Sequence, residues 1–494
     1  MISMERKSYF VGVDIGTSNV VMVVGSRLGD GPINIEDAVT KPIEGGVTAG
    51  RIDNVRSVGV AIGEAKKELE EELHIRINEA YAGISGEFVR CAYYTDHVFV
   101  RDSESGCITK EDVSSLHERM HNVLADPTEE IMARIPQNYV IDNGKEIDDP
   151  IGSFGRTLSS TFMFVLCQKS QLERTKMAFH NAGLKLLSTY VNPAVLPSLI
   201  LTEEEKDEGV AIVDIGGGTT DVAIVRNGKL RYIGSVPIGA QCINIDMRSF
   251  GIPERNTEFI KRNYGSAVAD MVPAENTILI QKAGQQSKRD FPQRNLVAII
   301  EARLKDIIEF AWAEIKHAKM STKIPCGLVL TGGSTVFANI DELFRRETNA
   351  PVRLSTIESG ISADTMERIS TYAQSTAVAV MLNGVKRGKC DVTEVGVKSQ
   401  PQSYSPYTPP TPTSNPRPTS MTAPTPQPNA DEADDNATGG YPQPTTVSEE
   451  QTKPITEEPK KPTVEEVKKK SGGFFKKLSK FVDGMLGNDN DDVL

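Results

Sequence analysis

The sequence predicts an α/β protein with two duplicated lobes around one cleft, an inserted subdomain and a disordered C-terminal linker. Three observations carry this reading. Over residues 1–390, apolar runs of strand length alternate with amphipathic stretches of helix length. A unit of strand, Asp, glycine-bearing turn and strand occurs twice, at Asp14 and again at Asp214. Fifteen of the 28 prolines crowd into residues 401–462.

Composition sets outer limits. The chain has 494 residues, room for about three domains. Hydrophobic residues make up 38%, below the roughly 45–50% of a compact domain, as expected if part of the chain is disordered. With 55 basic and 67 acidic residues the net charge is −12, which argues against nucleic acid as a partner, because phosphate contacts need clustered Lys and Arg. No apolar run approaches the ~20 residues that span a bilayer. The N-terminus runs straight into a strand-like segment at Tyr9, so a cleaved signal peptide is not expected. Six scattered cysteines without a Cys-x-x-Cys fit reduced thiols.

The elements follow in order. Strand-like runs are Tyr9–Asp14, Val20–Val24, Val210–Asp214, Val222–Val225 and Gly327–Thr331. Helical stretches are Arg56–Leu69, Gln171–Ala182 and Leu296–His317. Each strand pair closes on small residues, Gly16, Thr17 and Ser18 in the first turn and Gly216, Gly217, Gly218, Thr219 and Thr220 in the second. Small residues let backbone amides converge on an anion. Two such turns could hold a polyphosphate from both sides. Asp14 and Asp214, at the strand ends, could then bind Mg²⁺ through water, since Mg²⁺ takes oxygen ligands and keeps much of its hydration. A third turn, Thr331-Gly332-Gly333-Ser334, could bring backbone against a flat adenine ring. Glu258, Lys261 and Arg262 lie between the second and third turns; Glu258 and Lys261 share a helix face and could grip ribose and adenine, although such a pair alone is more often a surface ion pair.

In this order and spacing the three turns resemble the actin-like ATPase superfamily, which includes sugar kinases and heat-shock chaperone ATPases. Several segments resemble the FtsA family of bacterial cell-division proteins in particular: Ala82-Gly-Ile-Ser-Gly86, Asp149-Pro-Ile-Gly152, Gly155-Arg156-x-Leu158, Asp214 to Asp221 leading through Asn227-Gly228 to Pro237-Ile-Gly239, and Glu258-x-x-Lys261-x-x-Tyr264-Gly265. The resemblance implies ATP with Mg²⁺ in the cleft, and it implies a division of the chain. The first lobe comprises 1–85 and 155–205, interrupted by an interaction subdomain at 86–154. The second lobe comprises 206–236 and 309–390, with an upper subdomain at 237–308 that receives the C-terminal peptide of FtsZ, the tubulin-like division protein. It further implies self-assembly into filaments and contacts with other division proteins. Two residues depart from the pattern. Asn19 stands where FtsA proteins often carry Lys. Asn192 is the counterpart of a water-orienting Glu or Gln elsewhere in the superfamily, and Asn cannot act as a base. Nucleotide is therefore expected to bind and turn over slowly.

Residues 391–473 read as the disordered linker, too rich in Pro, Thr, Ser and Glu to bury a core. In 474–486, Phe474, Phe475, Leu478, Phe481, Val482, Met485 and Leu486 recur on one helical face, with Lys476, Lys477 and Lys480 opposite. Lys468, Lys469 and Lys470 precede it, and an acidic tail, 487–494, follows. This pattern reads as a helix lying on an anionic lipid surface; docking on a protein partner or on the chain's own body is the other reading. His117-Glu118-Arg119-Met120-His121 fits a zinc-protease pattern but is followed by no convincing third ligand.

The expected function is an ATP-binding filament former on the cytoplasmic face of the bacterial membrane at the division septum, linking FtsZ polymers to it and recruiting later division proteins. The alternative is a small-molecule kinase sharing the same cleft.

Overall fold

The computed structural model describes residues 7–102, 104–280, 288–369 and 372–395. The linker from residue 396 onward and the amphipathic segment 474–486 lie outside the described residues.

The first lobe is built on β1 (Lys7–Ile15), β2 (Asn19–Leu28) and β3 (Asn34–Pro42), an antiparallel meander. Helix α1 (Val55–Leu73) follows, its first turn capped by the Asn54 carboxamide, which accepts from the Arg56 and Ser57 amides. Strand β4 (Glu79–Ile84) then pairs parallel with β1. The inserted subdomain comes next: β5 (Val89–Phe99), α2 (Lys110–His121), β6 (Glu129–Ile141), β7 (Glu146–Ile147) and β8 (Thr157–Gln168). Helix α3 (Lys169–Asn181) and β9 (Lys185–Val191), parallel to β4, complete the lobe. The strand order is β9-β4-β1-β2-β3.

The second lobe repeats this frame. Strands β10 (Val210–Ile215), β11 (Thr220–Arg226) and β12 (Lys229–Val236) form the meander. Helices α4 (Gln241–Ser249), α5 (Glu254–Tyr264) and the long α6 (Gln293–His317) intervene. Strand β13 (Leu328–Thr331), α7 (Ile340–Thr348) and β14 (Val352–Leu354) close the lobe in the order β12-β11-β10-β13-β14. Helix α8 (Ser375–Val385) returns to pack on β1. At that crossing Gly12 is required, because a Cβ there would strike the Ala377 carbonyl and the Met381 side chain. One continuous apolar core runs through both lobes. Strand Val392–Glu394 pairs with Ile75–Ile77, so the folded body extends through the start of the region that composition assigns to the linker.

The insert has separate small cores, one around Ile108, Leu116 and Leu158 and one around Met120, Phe162 and Phe164. Its sheet, β7-β6-β8-β5, is closed by β8 pairing along the length of β5. The subdomain therefore runs past residue 154 to residue 168. The end expected at 154 marks a loop before the last strand, and pairing of strands this distant in sequence leaves no local signature. His117 is committed to this subdomain: its Nε2 is 2.7 Å from the Tyr139 hydroxyl, and its ring stacks on Tyr139. A polar seam joins the insert to β12, with the Lys229 ammonium donating to Gln137 O (2.7 Å) and the Arg231 guanidinium to Asn138 Oδ1 (2.9 Å).

Candidate nucleotide cleft

Both hairpins turn in the same way. Gly16 N–H donates to Asn19 O (3.0 Å), and Gly216 N–H donates to Thr219 O (2.9 Å). The alternation of each strand carries its last carboxylate, Asp14 or Asp214, to the cleft end of the sheet. There the two lobes meet. Asp14, Gly16, Thr17, Ser18, Asn19, Gly216, Gly217, Glu258, Lys261, Arg262, Gly333 and Ser334 line one cavity of about 480 Å³, a volume suited to a small organic ligand. Asp14, Asp214, Asn192, Thr219 and Gly332 line a recess contiguous with it through Gly16, Gly217 and Gly333.

The carboxylates are held under strong electrostatic constraint. Burial raises Asp14 to about 6, aided by the Asp221 charge and opposed by the hydrogen bond that Asn192 Nδ2 donates to Asp14 Oδ1 (2.8 Å). Asp214 is raised well above the usual carboxylate range, by burial first and then by Asp221 and Asp14. The Thr376 hydroxyl donates to it (3.3 Å). An oxygen-only donor set whose charges repel one another suits a hard divalent cation. Among the described residues no three His, Cys, Asp or Glu side chains are grouped to hold an ion by themselves. The donor set fits a hard divalent cation whose remaining ligands are oxygens from outside the chain.

The third turn is fastened to the second. Ser334 N–H donates to Ile215 O (3.1 Å), and its hydroxyl donates to Gly216 O (3.0 Å). Gly332 has φ +97°, and a Cβ there would collide with Asp214 Oδ1. On α5, Glu258 binds Lys261 (2.6 Å) and Arg262 (2.7 Å) and accepts from Asn244 Nδ2 (3.1 Å). Burial alone would raise Glu258; the two cations outweigh it and bring the carboxyl down to about 2. Lys261 is only 8% exposed, and burial lowers its ammonium pKa against the pull of Glu258.

Two predicted residues stand apart. Thr220 is fully buried, and its hydroxyl donates to Ile238 O (2.8 Å). Gly218 packs on the Thr17 side chain. Asn192 lies beside Asp14 as its hydrogen-bond donor, with its own carbonyl against Gly83. The structure also adds residues that sequence reasoning missed. Asp221 faces Asp214 across the β10–β11 register and accepts from the Ser85 hydroxyl of the other lobe. Its signal was present in the spacing, since a hairpin closed by a four-residue turn at 216–219 sets Asp214 opposite Asp221. Gln241, Asn244 and Thr376 carried no such signal.

The model described as cell division protein FtsA matches residues 211–379, and the model of the SHS2 domain inserted in FtsA matches residues 89–166. Together they span half of the chain, and the second coincides with the inserted sheet. The chain belongs to the FtsA family. FtsA of Pseudomonas aeruginosa is 29% identical over 388 residues, covering 78% of this chain and 92% of that protein. FtsA of Bacillus subtilis is 28% identical over 354 residues, covering 71% and 79%. FtsA of Escherichia coli K12 is 26% identical over 362 residues, covering 72% and 85%. The PilM–PilN type IV pilus biogenesis complex shares the fold of this FtsA-family chain, with a TM-score of 0.53 at 14% identity over 76% of this chain and 98% of that one. No helix among the described residues is long and apolar enough to cross a membrane.

Proposed function

We propose that this FtsA-family chain binds ATP in the cleft and links FtsZ polymers to the membrane as a filament. The observation that carries the nucleotide reading is the convergence of three glycine turns, the Asp14 and Asp214 carboxylates and the Glu258–Lys261 pair on one cavity and the recess contiguous with it. Turn amides of both lobes would hold the phosphates. Asp14 and Asp214 would hold Mg²⁺ through water, and the ion would supply neutralisation of phosphate charge. Glu258 and Lys261 would bind the ribose and adenine side, backed by Gly333 and Ser334. Asn192 is a poor activator of water: its amide takes no proton, and its N–H is spent on Asp14. Hydrolysis is accordingly slow.

The linking role rests on two further features. Ile245, Phe259, Met271 and Leu279 are exposed on the part of the chain between 237 and 308. They supply apolar contact area for a peptide such as the FtsZ C-terminus. The Lys-flanked apolar periodicity of 474–486 supports reversible attachment to anionic lipid at the cytoplasmic face of the septum. Several tails on one filament would bind by avidity. The inserted subdomain would carry the contacts to later division proteins.

Co-sedimentation with anionic liposomes tests this role, comparing the full chain with one ending at Ser471, with and without ATP and Mg²⁺. The expected result is pelleting of the full chain only, strengthened by ATP. If both forms stay in solution, the membrane role is lost, and a kinase assay against small hydroxylated substrates becomes the next experiment.

A further inference from the structure

The two phosphate-side turns are tied to each other by a side chain outside any of the motifs. Gln241 opens α4, and its backbone N–H donates to Gly217 O (2.8 Å), which anchors it to the second turn. Its side-chain Nε2 reaches across the cleft and donates to Ser18 Oγ in the first turn (2.9 Å). The turns beneath it are in contact: a Cβ on Gly217 would strike Ser18 Oγ, and one on Gly218 would strike Thr17. Helix α4 itself is pinned. Asp246, on the same helix, pairs bidentately with Arg303 of α6 (2.6 and 2.9 Å), and both side chains are only 3% exposed. The exposed Gln241 side chain is thus a movable group on a fixed support.

Resting on the nucleotide reading above, we infer that Gln241 is a latch on the cleft which a polyphosphate displaces on arrival. Gln241 lines the cavity together with Ser18, so its amide and a polyphosphate seated between the turns compete for the same space. Ser18 Oγ accepts from the amide, and its hydroxyl proton is available to donate to a phosphate oxygen. The deeper cross-lobe bond, Ser85 to Asp221, is buried. One exchanged hydrogen bond sets the size of the effect, roughly 2- to 12-fold in an equilibrium or rate constant.

Stopped-flow binding of a fluorescent N-methylanthraniloyl ATP with Mg²⁺ to the full chain tests the latch, comparing wild type with Gln241→Ala. The association rate constant is expected to rise roughly 2- to 12-fold, with a smaller change in dissociation. In parallel, hydrogen exchange with no added nucleotide should quicken at amides 16–19 and 216–219 in the variant. Unchanged association and exchange overturn the latch and leave the nucleotide site standing. Slower association or weaker affinity also overturns it, and makes Gln241 a direct phosphate ligand. If neither protein binds the nucleotide, the site reading falls and the latch with it.

Discussion

Hairpin β1–β2 sets Asp14 opposite Val21, whereas hairpin β10–β11 sets Asp214 opposite Asp221. Two copies of one frame therefore differ in charge at the cleft. The first lobe contributes one carboxylate, steadied by Asn192; the second contributes two, with Ser85 of the first lobe bonded to Asp221. The copies differ as well two residues before the Asp. Gly12 in the first is crossed by α8, while Ile212 in the second is buried in the apolar core. They also carry their insertions at different points, between β4 and β9 in the first and between β12 and β13 in the second. The repeated frame supplies two glycine turns closed by the same hydrogen bond. The surroundings then divided the labour, with close packing in the first lobe and concentrated negative charge in the second.

The sharpest way to break this contrast is Gly12→Val. The added side chain meets backbone of α8, which cannot yield without leaving β1. We expect a loss of about 3 kcal/mol or more and little soluble protein, read by thermal unfolding and expression. Near-normal stability would show that α8 tolerates displacement.

Gly332→Ala comes next. It places a Cβ at positive φ against Asp214, costing roughly 1–3 kcal/mol, and should weaken nucleotide binding more than it lowers the melting point. Equal binding in calorimetry would detach the third turn from the site.

Asp221→Asn makes the second lobe resemble the first. It keeps a hydrogen-bonding partner for Ser85 and removes one of the charges that raise Asp214. Without nucleotide, stability should rise by about 1 kcal/mol, or about 2 °C in melting temperature. A lower melting temperature would mean that the ionised Ser85–Asp221 contact outweighs the repulsion.

How much of this was legible in the sequence follows from the range of each interaction. The strand run Tyr9–Asp14 lies within β1, and Leu296–His317 lies within α6, because local apolar periodicity dictates both. The turns at 16–18 and 216–218 were visible because a hairpin is a local structure. Ser85 against Asp221 and Gln241 against Ser18 join residues 136 and 223 positions apart. They exist only because the lobes dock, and no local pattern encodes that. Thr220 shows the converse: its place in a phosphate-like motif concealed a hydroxyl committed to Ile238.

The smallest expected effect is electrostatic. The Lys261 and Arg262 cations outweigh burial and bring the Glu258 carboxyl from an ordinary 4.5 down to about 2. Its depressed pKa contributes stability that is fully present above pH 4.5 and is lost as pH falls toward 2. NMR titration of its carboxyl should give a midpoint well below 4.5, and Glu258→Gln should remove the low-pH dependence at α5. A midpoint at the ordinary value would dissolve the Glu258–Lys261–Arg262 cluster in solution.

Convergence of the two Asp-bearing hairpins on one ligand is open to direct measurement. Isothermal calorimetry of ATP with the full chain, with and without Mg²⁺, in wild type and Asp214→Asn, reads that convergence. We predict one-to-one binding that Mg²⁺ strengthens in wild type and strengthens at least tenfold less in the variant. Absence of binding, or a Mg²⁺ effect identical in both proteins, would contradict it.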